Sequence, residues 1–134
     1  MNKIEHIGIA VKDIAAANEI YTKLLGYAPY KTEAVASEGV QTSFFICGES
    51  KVELLEATAV DSPIAKFIEK RGEGIHHIAF SVDNIVAEME RLKKEGFILL
   101  NEEPKKGADN KWVAFLHPKS SNGVLVELCQ EIEE

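Results

Sequence analysis

The chain is short of several things at once, and each shortage narrows what it can be. Only two cysteines are present, Cys47 and Cys129, without CxxC spacing. That excludes a disulfide framework and fits a reducing compartment. No apolar run approaches the roughly 20 residues a membrane helix needs. The opening residues, MNKIEHIGIAV, lack the uninterrupted apolar stretch and cleavage site of a secretory signal, so the cytoplasm is the expected location. Basic charge is scarce as well. The formal net charge is −7, against the basic face that nucleic-acid binding requires. No nucleic-acid or membrane partner is expected. What remains is an ordinary soluble composition in 134 residues, one domain's worth of chain.

What is present is written twice. Residues 6–14, HIGIAVKDI, return as HIAFSVDNI at 77–85, 71 residues later. Each copy continues into a helical stretch that ends on a glycine and an aromatic, Gly26-Tyr27 and Gly96-Phe97. Each closes on a strand centred on a glutamate, KVELLE at 51–56 and VLVELC at 124–129. Phe45-Ile46 and Phe115-Leu116 match just before those strands. So long a period does not suit a solenoid and implies two half-domains packed face to face.

Periodicity supplies the elements. Alternation predicts a strand over 3–11, with Asp13 as N-cap of a helix through Leu25 and Gly26 at its C′ position. Strands follow near 28–35, at 40–47 and at 51–56, the last two joined by the turn Gly48-Glu49-Ser50. Ser62-Pro63 opens a short linker helix over about 62–72. The second copy repeats the order with a strand at 75–82, a helix from about Asp83 to Glu95, and strands near 97–101, 111–117 and 123–129. The expected class is α+β. One domain over 1–134 would hold two βαβββ modules, about 1–60 and about 75–131.

Strand alternation then places side chains. His6 shares a face with Gly8 and Ala10, and His77 shares one with Ala79 and Ser81; the bulky Ile and Phe residues point the other way. Small neighbours beside an inward histidine leave room for something else. Glu53 and Glu127 sit among strand-core residues, where a carboxylate is costly unless a cation compensates it. A lone strand histidine is ordinarily a hydrogen-bonded core residue, and a lone strand glutamate ordinarily faces solvent. Recurrence of both at equivalent positions of two copies favours a shared divalent ion on His6, Glu53, His77 and Glu127. Imidazole and carboxylate suit Zn, Mn, Co, Ni or Fe, and four such ligands favour an octahedral site with two open positions.

Other residues read more plainly. His76 faces away from His77 and is structural or supports the site from outside. His117 belongs to a His-Pro loop, and Cys129 fills a small buried apolar position on Glu127's face. Lys105, Lys106, Lys111 and Lys119 gather around the last hairpin, either as a solvated charge run or as a phosphate-binding patch.

With these residues in place, the chain resembles the vicinal-oxygen-chelate superfamily, and within it the methylmalonyl-CoA epimerases over nearly its whole length. EHIGIAVKDI, DSPIAKF…GEGIHHIAF and the HPK…GVLVEL ending carry the likeness. The resemblance implies an open, cupped mixed sheet around the metal site and a homodimer. It implies an acyl-CoA substrate whose α-proton is removed and returned while the metal stabilises an enolate. His6, His77 and Glu127 fall on the family's ligand positions, and Glu53 falls on the fourth, where some epimerases carry Gln. Members with that Gln tend to carry a glutamate base where this chain has Thr42. The acid–base pair is therefore read as Glu127 and Glu53, with Glu38 in reserve. A glyoxalase I-type lactoylglutathione lyase, acting on a thiol adduct, is the alternative enzyme. A non-catalytic small-ligand-binding protein of the same superfamily is the alternative from another class.

Overall fold

The computed structural model describes residues 1–133, as two compact units: Ile7–His76, and Met1–His6 together with the described residues from His77 onward. We call these the N-terminal and C-terminal units. Two strands, β1 (Lys3–Ala10) and β5 (Gly74–Ser81), run across the division.

In the N-terminal unit, helix α1 (Ile14–Leu25) begins where Asp13 accepts from the Ala15 and Ala16 N–H groups. It ends where Gly26 takes a left-handed φ of 91°. Strands β2 (Lys31–Val35), β3 (Val40–Cys47) and β4 (Ser50–Ala57) pair antiparallel in order. Val11, Ala17, Phe45 and Leu54 form a buried cluster against α1. Helix α2 (Pro63–Arg71), capped by the Ser62 hydroxyl, packs Ile64, Phe67 and Ile68 against Ala10, Val40 and Leu55.

The C-terminal unit repeats the plan around helix α3 (Ile85–Lys94) and strands β6 (Lys105–Gly107), β7 (Lys111–Leu116) and β8 (Val126–Glu131). Its strands lie in the order β5-β8-β7-β6, parallel between β5 and β8 and antiparallel elsewhere. Val82, Ile85, Met89, Leu92, Ala114, Leu116 and Leu128 make the core beneath α3. The α+β class and the doubled βαβββ order thus hold. Among the described residues, no helix is long and apolar enough to cross a membrane.

Both units tie the helix start to the closing strand. The Ile14 N–H donates to Glu56 Oε1 at 2.7 Å, and the Ile85 N–H donates to Gln130 Oε1 at 2.7 Å. Glu56 and Gln130 each lie three residues beyond the repeated glutamate, so an odd spacing puts the tie on the helix side and the glutamate on the other.

Three expectations need correction. Helix α3 is capped by Asn84, whose side chain accepts from the Ala87 N–H; Asp83 instead accepts from the Asn2 amide. Residues 97–101 make one bridge, Leu99 to Leu116, rather than a strand, because the Asn101 side chain takes the Phe115 N–H and ends the ladder. The edge beyond it belongs to β6, between the strands expected near 97–101 and 111–117.

A glycine pair tests the packing of the N-terminal unit. Gly39 and Gly48 both have φ of 64°, but a Cβ on Gly39 would lie 2.9 Å from Ser62 Cβ, whereas Gly48 has open space. Gly48→Ala should cost about 1 kcal/mol, from conformation alone, and Gly39→Ala at least about 1 kcal/mol more. Urea unfolding of the two variants measures the difference; equal midpoints would refute the close packing of Gly39 on Ser62.

Candidate metal centre

The C-terminal unit brings three of the four expected ligands together. His77 precedes Ala79, which pairs with Glu127, and Glu127 pairs in turn with Phe115. The α3-facing residues Val126 and Leu128 flank Glu127, so its carboxylate points away from that helix. His6, His77 and Glu127 are all buried, at 3%, 5% and 6% exposure. His6 Nε2 lies 3.0 Å from His77 Nε2, His77 Nε2 lies 3.0 Å from Glu127 Oε1, and His6 Nε2 lies 3.5 Å from that same oxygen.

This donor set fits a divalent ion. Donors about 2.1 Å from a first-row metal stand roughly 3.0 Å apart at adjacent octahedral positions and roughly 3.4 Å apart in a tetrahedron. Two of the observed separations match the octahedral value and the third, 3.5 Å, lies next to the tetrahedral one. Burial would by itself raise the Glu127 carboxyl, but the positive charge of the His6 and His77 imidazoles holds it well below the usual carboxylate range. Two imidazoles and an ionised carboxylate converging in a buried setting are donors that a cation can take in place of the imidazole protons.

Two neighbours complete the set. Glu5 is 4% exposed, and its Oε1 accepts from His6 Nδ1 at 3.1 Å. Strand alternation hid this contact, because adjacent residues nominally face opposite ways; only the Glu-His adjacency in EHIGIAV hints at it. Cys129 is not the inert filler expected. Its thiol donates to Glu127 Oε2 at 2.9 Å.

The remaining candidates are placed as follows. Glu53, in the N-terminal unit, is 5% exposed on β4 and pairs with Phe44 on the face opposite the α1 cluster. Thr42 shares that face, fully buried, and its hydroxyl has no hydrogen-bond partner among the described residues. Glu38 is half-buried in a short turn before β3. His76 packs edge-on against Phe67, and His117 Nδ1 accepts from the Lys119 N–H, so both have structural employment. The four lysines do not form one cluster. Lys105 pairs with Val113 on the Glu127 side and lies over the Phe115 ring; Lys106 pairs with Trp112 on the α3 side. Lys111 is buried with its ammonium 3.0 Å from Glu131, and Lys119 is exposed in the turn after β7.

Known proteins share this arrangement of chain. The profile of the Glyoxalase/Bleomycin resistance protein/Dioxygenase superfamily matches residues 5–115. The human mitochondrial methylmalonyl-CoA epimerase is 43% identical over 97% of this chain and 74% of its own length. The chain belongs to the methylmalonyl-CoA epimerase family of that superfamily. Among solved structures, a hypothetical protein from Bacillus halodurans superposes with a TM-score of 0.95 at 47% identity, covering 99% of this chain and 96% of that one. A variant of the Streptomyces coelicolor methylmalonyl-CoA epimerase, in complex with 2-nitronate-propionyl-CoA, superposes at 0.93 with 34% identity and 99% coverage of each chain.

Elemental analysis of protein purified without chelators should find about one divalent ion per chain, since the donor set is single. His6→Ala, His77→Ala and Glu127→Ala should each weaken binding by more than roughly 100-fold, beyond the loss typical of supporting residues, while His76→Ala leaves it unchanged. Occupancy should fall as pH drops, because protons compete with the ion for the ring nitrogens. Equal loss from His76→Ala would contradict the assignment.

Proposed function

We propose that this chain interconverts the two epimers of methylmalonyl-CoA by removing and returning the acidic α-proton. What carries the reading is the buried His6–His77–Glu127 donor set within a chain of full-length likeness to enzymes of that name. Glu53 is proposed as the fourth ligand, from its place in the sequence repeat. A divalent ion held by these residues would stabilise the negative charge that develops on the substrate carbonyl as the proton leaves.

The chain's own groups handle the proton. Epimerisation needs an acid–base group on each face of a planar enolate, since one base alone tends to return the proton to the side it left. The repeat offers Glu127 and Glu53, on equivalent strands of the two copies. Both oxygens of Glu127 are engaged, Oε1 by the imidazoles and Oε2 by the Cys129 thiol. A thiol is a weak donor, so Oε2 is the easier oxygen to free for a proton. In the N-terminal unit Thr42 cannot act as a carboxylate base, so Glu53 is the proposed base there, with Glu38 in reserve.

Lys105, on the Glu127 side of the C-terminal unit, is the proposed contact for the phosphates of the CoA moiety. A homodimer is proposed on the family likeness and is checked by solution mass. The lyase reading stays in the test because Glu53 supplies a carboxylate where some epimerases carry Gln.

Turnover measured separately with methylmalonyl-CoA and with the hemithioacetal of methylglyoxal and glutathione should appear only with the former; the reverse result would sink the proposal. Lys105→Glu should raise KM for the CoA thioester by about tenfold with little change in kcat, and Lys106→Glu should change neither. Glu53→Gln should retain metal and lose exchange of the α-hydrogen with deuterated water from one epimer only. Unchanged exchange from both would leave Glu53 a ligand without a proton-transfer role.

A further inference from the structure

Glu5 and Cys129 touch the donor set without belonging to it, and both line one polar pocket of about 280 Å³ in the C-terminal unit. Each meets the atom of its partner that lies away from the convergence point. Glu5 Oε1 meets His6 Nδ1 at 3.1 Å, whereas His6 Nε2 faces His77 and Glu127. The Cys129 Sγ meets Glu127 Oε2 at 2.9 Å, whereas Glu127 Oε1 faces the two imidazoles. All four residues are buried, so water competes little for these contacts.

We propose that Glu5 and Cys129 are positioning residues that fix which atom each ligand offers: Nε2 from His6 and one oxygen, Oε1, from Glu127. A carboxylate accepting from Nδ1–H locks the imidazole in the tautomer whose Nε2 carries a free lone pair, and raises its basicity. A thiol donating to Oε2 keeps that oxygen occupied and makes the carboxylate a one-oxygen ligand. The second effect bears on chemistry. A one-oxygen carboxylate takes one coordination position and a two-oxygen carboxylate takes two, so the Cys129 contact preserves a position for an incoming chelating ligand. The inference rests on the metal-centre reading above.

Co²⁺ is the probe, read by its visible absorption, with malonate as a chelating ligand and acetate as a one-point control. Glu5→Gln keeps an acceptor for Nδ1–H and loses only the charge, so Co²⁺ affinity should fall about tenfold; Glu5→Leu should lose about 100-fold. Cys129→Ser keeps a donor and should bind malonate within about twofold of the unsubstituted protein. Cys129→Val, apolar and of similar size, should weaken malonate about tenfold while acetate and Co²⁺ affinity hold, as expected if Oε2 then takes the open position. Normal circular dichroism and thermal unfolding separate these effects from misfolding. If Co²⁺ binds but Cys129→Val chelates malonate normally and Glu5→Leu retains full Co²⁺ affinity, the positioning roles are overturned and the metal centre stands. If the unsubstituted chain takes up no Co²⁺, both fall.

Discussion

Two imidazole nitrogens and a carboxylate oxygen held within 3.5 Å of one another, all in a buried setting, form an arrangement that must have positive charge among them. Without it, the nitrogen lone pairs and the carboxylate would repel one another with little solvent to screen them. Protons can supply that charge, and so can a divalent ion. Much of the C-terminal unit is arranged to hold the three atoms there. The parallel pairing of β5 with β8 sets Ala79 beside Glu127, and antiparallel β7 sets Phe115 on its other side. Leu128, Leu116 and Ala114 are buried beneath α3 on the opposite face, so sliding β8 by one residue would bury Glu127 in the apolar core. The hydrophobic core therefore fixes the register, and the register fixes the donor set.

The repeat has a physical use beyond symmetry. In each unit the closing strand carries a glutamate and, three residues later, a side chain that accepts from the first helical N–H. The same strand thus satisfies an orphan donor at the helix start on one face and presents a carboxylate on the other. Glu56 and Gln130 do this equally well, because an amide oxygen and a carboxylate oxygen are both acceptors. Such a tie couples the orientation of the helix to the position of the glutamate.

How much of this was legible in the residues depended on the kind of signal. Period-2 alternation placed Glu127 away from α3, and the structure agrees, since Val126 and Leu128 carry the core; the pairing of Ala79 with Glu127 puts His77 on the same side. Caps with a side-chain signature were readable at Asp13 and Ser62. Asn84 was missed by one position although the repeat offset from Asp13 points to it. The strand expected at 97–101 failed because one side chain, Asn101, competes with the backbone for the Phe115 N–H, which no hydropathy pattern encodes. Glu5 and Cys129 were illegible for a related reason. Their roles lie in which atom of a neighbour they touch, and residue type and face do not settle that. Lysine spacing suggested one patch, but pairing of β6 with β7 sends Lys105 and Lys106 to opposite faces.

The exchange of a neutral ligand for Glu53 has an electrostatic consequence for the proposed centre. With Glu127 and Glu53 both ionised, two carboxylates balance the charge of a divalent ion, whereas a glutamine in that place would leave one unit of positive charge. A neutral centre holds its ion more firmly and attracts an anionic substrate less strongly. The overall charge of −7 adds repulsion, so recruitment of an anionic thioester falls on local cations. Lys106 points to the α3 side, whereas Lys105 pairs with Val113 and lies on the Glu127 face, which is why it is the lysine proposed for that duty. Thr42 fits the same logic from the other direction. A hydroxyl there adds no further carboxylate beside Glu53 on that face of the N-terminal unit, and its buried oxygen, without a hydrogen-bond partner among the described residues, costs about 1–3 kcal/mol unless something binds to it. A water molecule at that oxygen would remove the penalty without adding charge, whereas a glutamate base in that place would add it.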